Sequence, residues 1–340
     1  MKYAMLGAAA LSLMAGAAQA ANIIVGGESG GLATAFTTPG LSAGAAVQPY
    51  PGFGGGVRVA VGDVNGDGVD DIITGAGAGG QQVKVFDGVT GQTVRSFNPF
   101  AAGYTGGVRV AAGDLNGDGV ADIVVGAGEG SAVRVFDGLT LDTLHSFNAF
   151  GAGFTGGVSV AVGQDDDGRA ALIVGAGAGG APVVNIYDPL TGLLAHSFLA
   201  FDPNFQGGVN VASLNKVGPG ILAFGAQSLS SQVRVLDLGT QLFTHDFFAF
   251  NGFTGGVSVG GGLFGGINSL IVGQQTGGAQ VNIYDPNGRG LAAFRAYADA
   301  DGVNVAGSFV VPEPATWAVM ILGFFGLGAQ LRRRRKAVVA

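Results

Sequence analysis

The phrase Gly-Gly-Val-x-Val returns through this chain with its first Val at 57, 108, 158, 209 and 257. A variant, Asp301-Gly302-Val303-Asn304-Val305, ends the series. The intervals are 51, 50, 51, 48 and 46 residues. A fixed period of this size marks an array of one supersecondary unit. The order inside each unit is constant: an alternating β-rich run such as 57–61, a polar Asp/Asn/Gly stretch at 63–71, and a short apolar run at 72–74. A glycine-rich segment at 75–80 follows, then a strand at 83–86, an Asp-Gly turn at 87–88 and a last strand running into 96–100. Four short strands with tight turns in about 50 residues is the pattern of a propeller blade. No segment between the two ends shows helical periodicity, which argues against leucine-rich and ankyrin arrays.

The ends of the array set the blade count. Five complete units begin at Val57, Val108, Val158, Val209 and Val257, and only one strand remains after Val303. Residues 22–56 hold three strands: Asn22–Gly27 corresponds to the run at Ile72, Leu32–Phe36 to Val83–Phe86, and Val47–Tyr50 with Phe53 to Phe97–Phe100 with Tyr104. The expectation is an all-β, six-bladed β-propeller of four-stranded blades over residues 21–311, its ring closed by the N- and C-terminal strands. Closure removes the exposed sheet edges of an open array, and the terminal caps that a solenoid needs are not visible. The aromatic pairs Phe97/Phe100, Phe147/Phe150, Phe198/Phe201, Phe247/Phe250 and Phe294/Tyr297 hold one slot in five units and read as inter-blade core. Glycine is 66 of 340 residues, but 12 and 11 of them fall at matching places in the first two full units. They are read as allowing positive φ and close blade approach.

Both termini look like targeting segments. Lys2, an apolar stretch to Gly16 and Ala18-Gln19-Ala20 predict a signal peptide over residues 1–20, cleaved after Ala20. At the other end Pro312-Glu313-Pro314 precedes an uncharged run of 16 residues, Thr316 to Leu331, and then Arg332–Arg335 and Lys336. The run is just short of the roughly 17–25 residues of a usual span, and the basic cluster would hold its side in the cytoplasm. Residues 312–340 resemble the PEP-CTERM sorting signal: a Pro-Glu-Pro motif, a transmembrane helix and an Arg-rich end. The resemblance implies transient membrane insertion through that helix and processing by an exosortase-type enzyme near Pro312–Pro314. It also implies export to the cell envelope, outer surface or extracellular matrix of a Gram-negative bacterium; an ordinary membrane anchor is the alternative. Without its termini the chain carries 10 basic and 22 acidic side chains, a net charge near −12. This does not suit nucleic acid. An exported chain without cysteine must be stabilised by packing, hydrogen bonds or metal instead of disulfides.

Asp63-x-Asn65-x-Asp67-Gly68-Val69-x-Asp71 recurs as Asp114-x-Asn116-x-Asp118-Gly119-Val120-x-Asp122. Oxygen donors at positions 1, 3, 5 and 9, a backbone carbonyl at 7 and Gly at 6 make a hard-cation loop suited to Ca²⁺. The last ligand comes too early for an EF-hand, and strands flank the loop. The plainer reading is a polar hairpin turn, since Asn-Gly and Asp-Gly are turn signals in themselves. The loop followed by a Gly-Ala-Gly stretch resembles the FG-GAP/VCBS repeat of the integrin α-subunit propeller, over about residues 22–311. That resemblance implies Ca²⁺ bound by Asp63, Asn65, Asp67, Asp71 and the Val69 carbonyl, and by Asp114, Asn116, Asp118, Asp122 and the Val120 carbonyl. Integrin-type propellers commonly have seven blades, so six is a departure. The third unit is degenerate: Gln164-Asp165-Asp166-Asp167-Gly168 is one residue shorter, and Ala171 stands where the last Asp belongs. The fourth and fifth units have lost the ligands.

Other candidates carry less. His145, His196 and His245 share one slot, two residues before the first aromatic of the pair, and would lie on different blades. Asp87, Asp137, Asp188, Asp237 and Asp285 follow the third strand and read as turn residues. Arg58, Arg109, Ser159, Asn210, Ser258 and Asn304 form a polar series that would either ring the channel or bridge to a neighbouring blade. No catalytic residues are assigned. The expected function is a non-catalytic surface or matrix module, binding extracellular polysaccharide or a surface protein or serving as a structural component. A propeller enzyme acting on extracellular polysaccharide and a cation-responsive adhesion module are the alternatives.

Overall fold

The computed structural model describes residues 22–309 apart from 39, 152, 216, 299 and 300. The segments read as signal peptide and sorting tail lie outside them. Every regular element is a strand, and the strands form six four-stranded antiparallel sheets. The first blade joins β1 (Asn22–Gly27), β2 (Ala33–Thr37) and β3 (Ser42–Val47) to a strand from the far end of the chain. The second blade is β4 (Val57–Gly62), β5 (Asp71–Ala76), β6 (Val83–Phe86) and β7 (Thr93–Phe97). The third is β8 (Val108–Gly113), β9 (Asp122–Ala127), β10 (Ala132–Phe136) and β11 (Thr143–Asn148). β12 (Val158–Gln164), β13 (Ala170–Ala176), β14 (Val183–Tyr187) and β15 (Leu194–Leu199) make the fourth. The fifth is β16 (Val209–Ser213), β17 (Ile221–Ala226), β18 (Gln232–Asp237) and β19 (Leu242–Phe248). The sixth is β20 (Val257–Phe264), β21 (Ile267–Gln274), β22 (Gln280–Tyr284) and β23 (Gly290–Arg295). The last strand, β24 (Val303–Gly307), pairs with β1, Val305 opposite Val25, and completes the first blade. The molecule is a six-bladed β-propeller closed by its two ends.

The first strand of each blade is innermost. Val59, Val110, Val160, Val211, Val259 and Val305 occupy one slot of these strands and line an axial cavity of about 320 Å³. All six innermost strands begin at one face, here the upper, and end at the lower face; five run into the Asp-rich loops or their degenerate counterparts, and β24 is the last strand of the described chain. Among the described residues no helix is long and apolar enough to cross a membrane; the run 316–331 lies outside them.

The glycine period has a packing cause in β1, β5, β9, β13, β17 and β21. Gly26, Gly75, Gly126, Gly175, Gly225 and Gly273 share a slot where an added Cβ would come 2.4 to 2.9 Å from the innermost strands. Side chains in that slot would push the blades apart. Gly175→Ala, whose Cβ would meet the Val209 carbonyl oxygen at 2.6 Å, is expected to cost about 1–3 kcal/mol, the usual range for overpacking. Gly54→Ala, in open space, is the control. Urea unfolding of both variants checks this.

The aromatic slot divides its work. Phe97, Phe147, Phe247 and Phe294 cross to the next blade, meeting Phe136, Tyr187, Tyr284 and Phe36 at centroid distances of 4.8 to 5.0 Å. Phe198 instead meets Phe224, because Leu236 fills the usual partner's place in β18. The second aromatics turn to the upper face, as in Phe100–Tyr104 and Phe250–Phe253. Such tilted and edge-on pairs add about 0.5–1.5 kcal/mol each beyond area burial.

Candidate metal loops and the upper rim

The two Asp-rich loops join the innermost strand to the second strand in blades two and three, and their backbones are folded by their own side chains. Asp63 accepts from the Gly66 and Gly68 amides at 2.7 Å each, Asn65 from Asp67 at 2.9 Å, and Asp67 from Val69 at 2.8 Å. The second loop repeats this: Asp114 accepts from Gly117 and Gly119, Asn116 from Asp118, and Asp118 from Val120. Gly66, Gly68, Gly117 and Gly119 have φ between +78° and +87°, the left-handed region that side chains disfavour. The Asn-Gly-Asp-Gly run is therefore required by backbone geometry as well as by ligand chemistry.

The ninth-position acids differ from the rest. Asp71 and Asp122 are fully buried, at 0% exposure. Asp71 accepts from the Val64 amide at 3.0 Å and the Gly88 amide at 2.9 Å; Asp122 accepts from Leu115 at 2.9 Å and Gly138 at 3.3 Å. Each carboxylate thus ties its loop to the turn after the third strand. Burial pushes both carboxyls up to about 6, and the charges of Asp67 and Asp87, or of Asp118 and Asp137, add to the rise. Among the described residues no lysine, arginine or histidine lies within ion-pair distance of either loop's carboxylates.

Asp87 and Asp137 show what the sequence pattern conceals. Their Oδ1 atoms cap turns, Asp87 accepting from Val89 and Thr90 and Asp137 from Leu139 and Thr140. Asp188, Asp237 and Asp285 cap the equivalent turns in the same way. The Oδ2 atoms of Asp87 and Asp137 face the loops. They accept from Asn65 Nδ2 at 3.1 Å and Asn116 Nδ2 at 3.2 Å, while the same amide nitrogens lie 3.4 Å from Asp71 Oδ1 and Asp122 Oδ1. In each nest a neutral side-chain amide, that of Asn65 or Asn116, lies between two carboxylates. The donor set, all oxygen, negatively charged and without a protein cation, fits a hard divalent ion.

The degenerate third loop behaves differently. Asp165, Asp166 and Asp167 have carboxylate oxygens within 4.8 Å of one another, which neither complete loop achieves among the described residues. Arg169 pairs with Asp167 at 2.6 Å, however, and His196 lies 3.5 Å from Asp166. A protein cation, Arg169, thus already occupies one side of this triad. His145 and His245 stand on β11 and β19, so the three histidines belong to three blades and do not converge.

The polar series bridges blades. Arg109 Nη1 donates to the Val158 carbonyl at 3.4 Å, Asn210 to Val257 at 2.8 Å, Ser258 to Val303 at 2.8 Å and Asn304 to Val57 at 3.2 Å. Ser159 accepts from the Val211 amide at 3.1 Å. Arg58 alone turns back, pairing with Glu28 of the first blade at 2.6 Å, and Glu28 also accepts from Asn304 at 3.0 Å. Of the two expectations for this series, bridging describes all six residues.

Fold and loops together define a β-propeller with paired Asx-rich loops on one face. Residues 55–93 and 106–138, which contain both loops, match the FG-GAP repeat. Among solved structures the chain is similar to a protein of unknown function from Bacteroides caccae, with 13% identity and a TM-score of 0.58 over 85% of this chain and 99% of that one. It is also similar to U3-55K, with 12% identity and a TM-score of 0.50 over 80% of this chain and 77% of that one. At these identities the likeness extends to the fold alone.

Proposed function

We propose that this chain is an exported, calcium-stabilised, non-catalytic β-propeller that acts at the cell surface or in the extracellular matrix as a binding, adhesion or structural module. The observation that carries the calcium reading is the buried, doubly amide-bonded carboxylate of Asp71 and Asp122 among further acids without a protein cation. Asp63, Asn65, Asp67, Asp71 and the Val69 carbonyl would hold one ion; Asp114, Asn116, Asp118, Asp122 and the Val120 carbonyl would hold the other. Calcium at these places supplies positive charge that offsets the repulsion within each loop. Asp87 and Asp137, each one hydrogen bond away through Asn65 or Asn116, orient the amide side chains. The carboxylates of these loops are spent on holding hairpins together, which supports a structural role for them.

Export rests on the terminal segments, and exosortase-type processing on the Pro312-Glu313-Pro314 tail. The last described residues leave the ring on the lower face: Ser308 Oγ lies 2.5 Å from Asp70 Oδ2 beside the first loop. A tail leaving there would hold the loop face toward the membrane and present the upper face outward.

The functional reading is tested by incubating the calcium-loaded protein with an array of neutral and acidic bacterial polysaccharides, measuring retention and reducing-end release together. Retention without release is the expected result. Release of reducing ends above a heat-denatured control would overturn the non-catalytic assignment in favour of the polysaccharide-cleaving alternative.

A further inference from the structure

Arginine is scarce in this acidic body, and most basic side chains have settled partners. Lys84, Arg134 and Arg234 each cap a backbone carbonyl of the preceding blade's outer loop at 2.5 to 2.8 Å. Arg109 has no comparable partner. Its described hydrogen bond, to the Val158 carbonyl, is 3.4 Å long, and among the described residues no carboxylate lies within ion-pair distance of it. Its guanidinium has five N–H donors, so most of its donor capacity is directed elsewhere. Arg109 lines a cavity of about 210 Å³ on the upper face, between blades two and three, and Arg58 and Glu129 line the same cavity. Burial, and after it the neighbouring Arg58 charge, pull the Arg109 guanidinium down to about 10; the carboxylates nearby are Glu28, held on Arg58, and the exposed Glu129 of the same lining.

We infer that this cavity is a pocket for the carboxylate of a single sugar-acid unit, such as a uronate in an acidic polysaccharide, with Arg109 as the residue that takes the charge. The inference rests on the binding-module reading above and gives it a ligand class. Three observations select that chemistry. Glu28 pairs with Arg58 and is itself held by Asn304, which leaves Arg109 as the guanidinium without an ion-pair partner, and with Glu129 in the same lining the site favours a monoanion over a phosphate dianion. The planar fork of arginine matches a carboxylate in bidentate geometry. The remaining lining is mostly glycine backbone, Gly77, Gly106, Gly107 and Gly128, with Val108 fully packed away. The Gly77, Gly107 and Gly128 amides are already spent on hydrogen bonds to other backbone carbonyls, so this wall offers hydroxyl groups mainly carbonyl oxygens, and its exposed apolar side chain is no larger than that of Ala78.

The test is calorimetric titration of the calcium-loaded protein with sodium glucuronate and galacturonate at fixed ionic strength. Glucose, sulfate and an acetylated acidic dipeptide are the comparison arms. Uronate is expected to bind at least about tenfold more tightly than glucose, and Arg109→Gln to lower uronate affinity by about tenfold or more, the loss of a charged hydrogen-bond pair. Arg109→Lys should fall between them. Glu129 is exposed and makes no ion pair, so Glu129→Gln is expected to fold normally and to raise uronate affinity by about two- to fivefold through the removed repulsion. It keeps the test open even where Arg109→Gln weakens the fold. Equal affinity for uronate and glucose, unchanged affinity in Arg109→Gln, or equal binding of the acidic dipeptide would each overturn the pocket. If those results came with retention on the polysaccharide array, only the pocket would fall; loss of both would remove the binding reading as well.

Discussion

Stripping calcium from the protein with EGTA at pH 7 is expected to lower its melting temperature by on the order of 10–20 °C. At a hundredfold excess over its dissociation constant, one ion adds about 2.7 kcal/mol. Two loops then add about 5 kcal/mol, and for domains of this size 1 kcal/mol moves the midpoint by roughly 2–4 °C. In a chain without disulfides that is a large share of a typical net stability of about 5–15 kcal/mol. The pH dependence gives the effect a second signature. Asp71 and Asp122 have folded-state values near 6 against an ordinary 3.8, so without metal the folded state binds more protons than the unfolded chain across that window. Metal-free stability is therefore full below the lower value and lost as pH rises through the upper one. The metal-free protein should be more stable at pH 5 than at pH 7, by about 1 kcal/mol for each acid. With calcium the order reverses, because the ion favours the ionised carboxylates and protons compete with it. Melts at both pH values, with calcium and with EGTA, check the crossing.

Truncation after residue 302 is expected to abolish cooperative folding, whereas truncation after residue 309 should leave it intact. The shorter chain lacks β24, the innermost strand of the first blade. Val303 and Val305 are buried at 0% and 6% exposure, and full burial of a valine contributes on the order of 1.5–3 kcal/mol. Asn304 ties this strand to Val57 of the second blade and to Glu28, and the Ser258 hydroxyl donates to the Val303 carbonyl. Losing the strand leaves β1 an unpaired edge, opens the sixth blade's inner face and breaks the ring of inter-blade bonds at two places. Circular dichroism and urea unfolding of the two truncations decide it. Cooperative unfolding of the 302-residue form at a midpoint near that of the 309-residue form would show that closure is dispensable.

The architecture was legible in the sequence because a ring of like blades repeats every local demand. The Val-x-Val inner strand, the Phe97-type aromatic and the Asp-Gly turn recur at the same places, and each has one physical reason. The leftover strands at the two ends left little room except to complete one blade. The turn geometry of the Asx-rich loops was legible for the same reason, since the spacing of Asp63, Asn65, Asp67 and Asp71 is that of the hydrogen-bonded turn and also that of the proposed oxygen cage. What stayed hidden depends on atoms brought together across hairpins. Asp87 satisfies every local requirement of a turn with Oδ1, so nothing in the pattern shows that Oδ2 reaches Asn65, 22 residues earlier. Arg58 and Arg109 share a slot and a residue type. Only the presence of Glu28 beside one and of Gly77 at the corresponding place beside the other separates an ion-paired guanidinium from one without a carboxylate partner. The third loop's shortened spacing marks it as degenerate, and its tight Asp165–Asp167 cluster has Arg169 paired with Asp167 and His196 beside Asp166, contacts that no spacing rule shows.

Calcium stoichiometry measured by isothermal titration calorimetry tests the central claim most directly. The account predicts two ions per chain for the unaltered protein, one for Asp67→Ala, one for Asp118→Ala and none for the double variant, with the gain in melting temperature falling in step. A folded protein that takes up no calcium, or whose stoichiometry is unchanged by both substitutions, would contradict it.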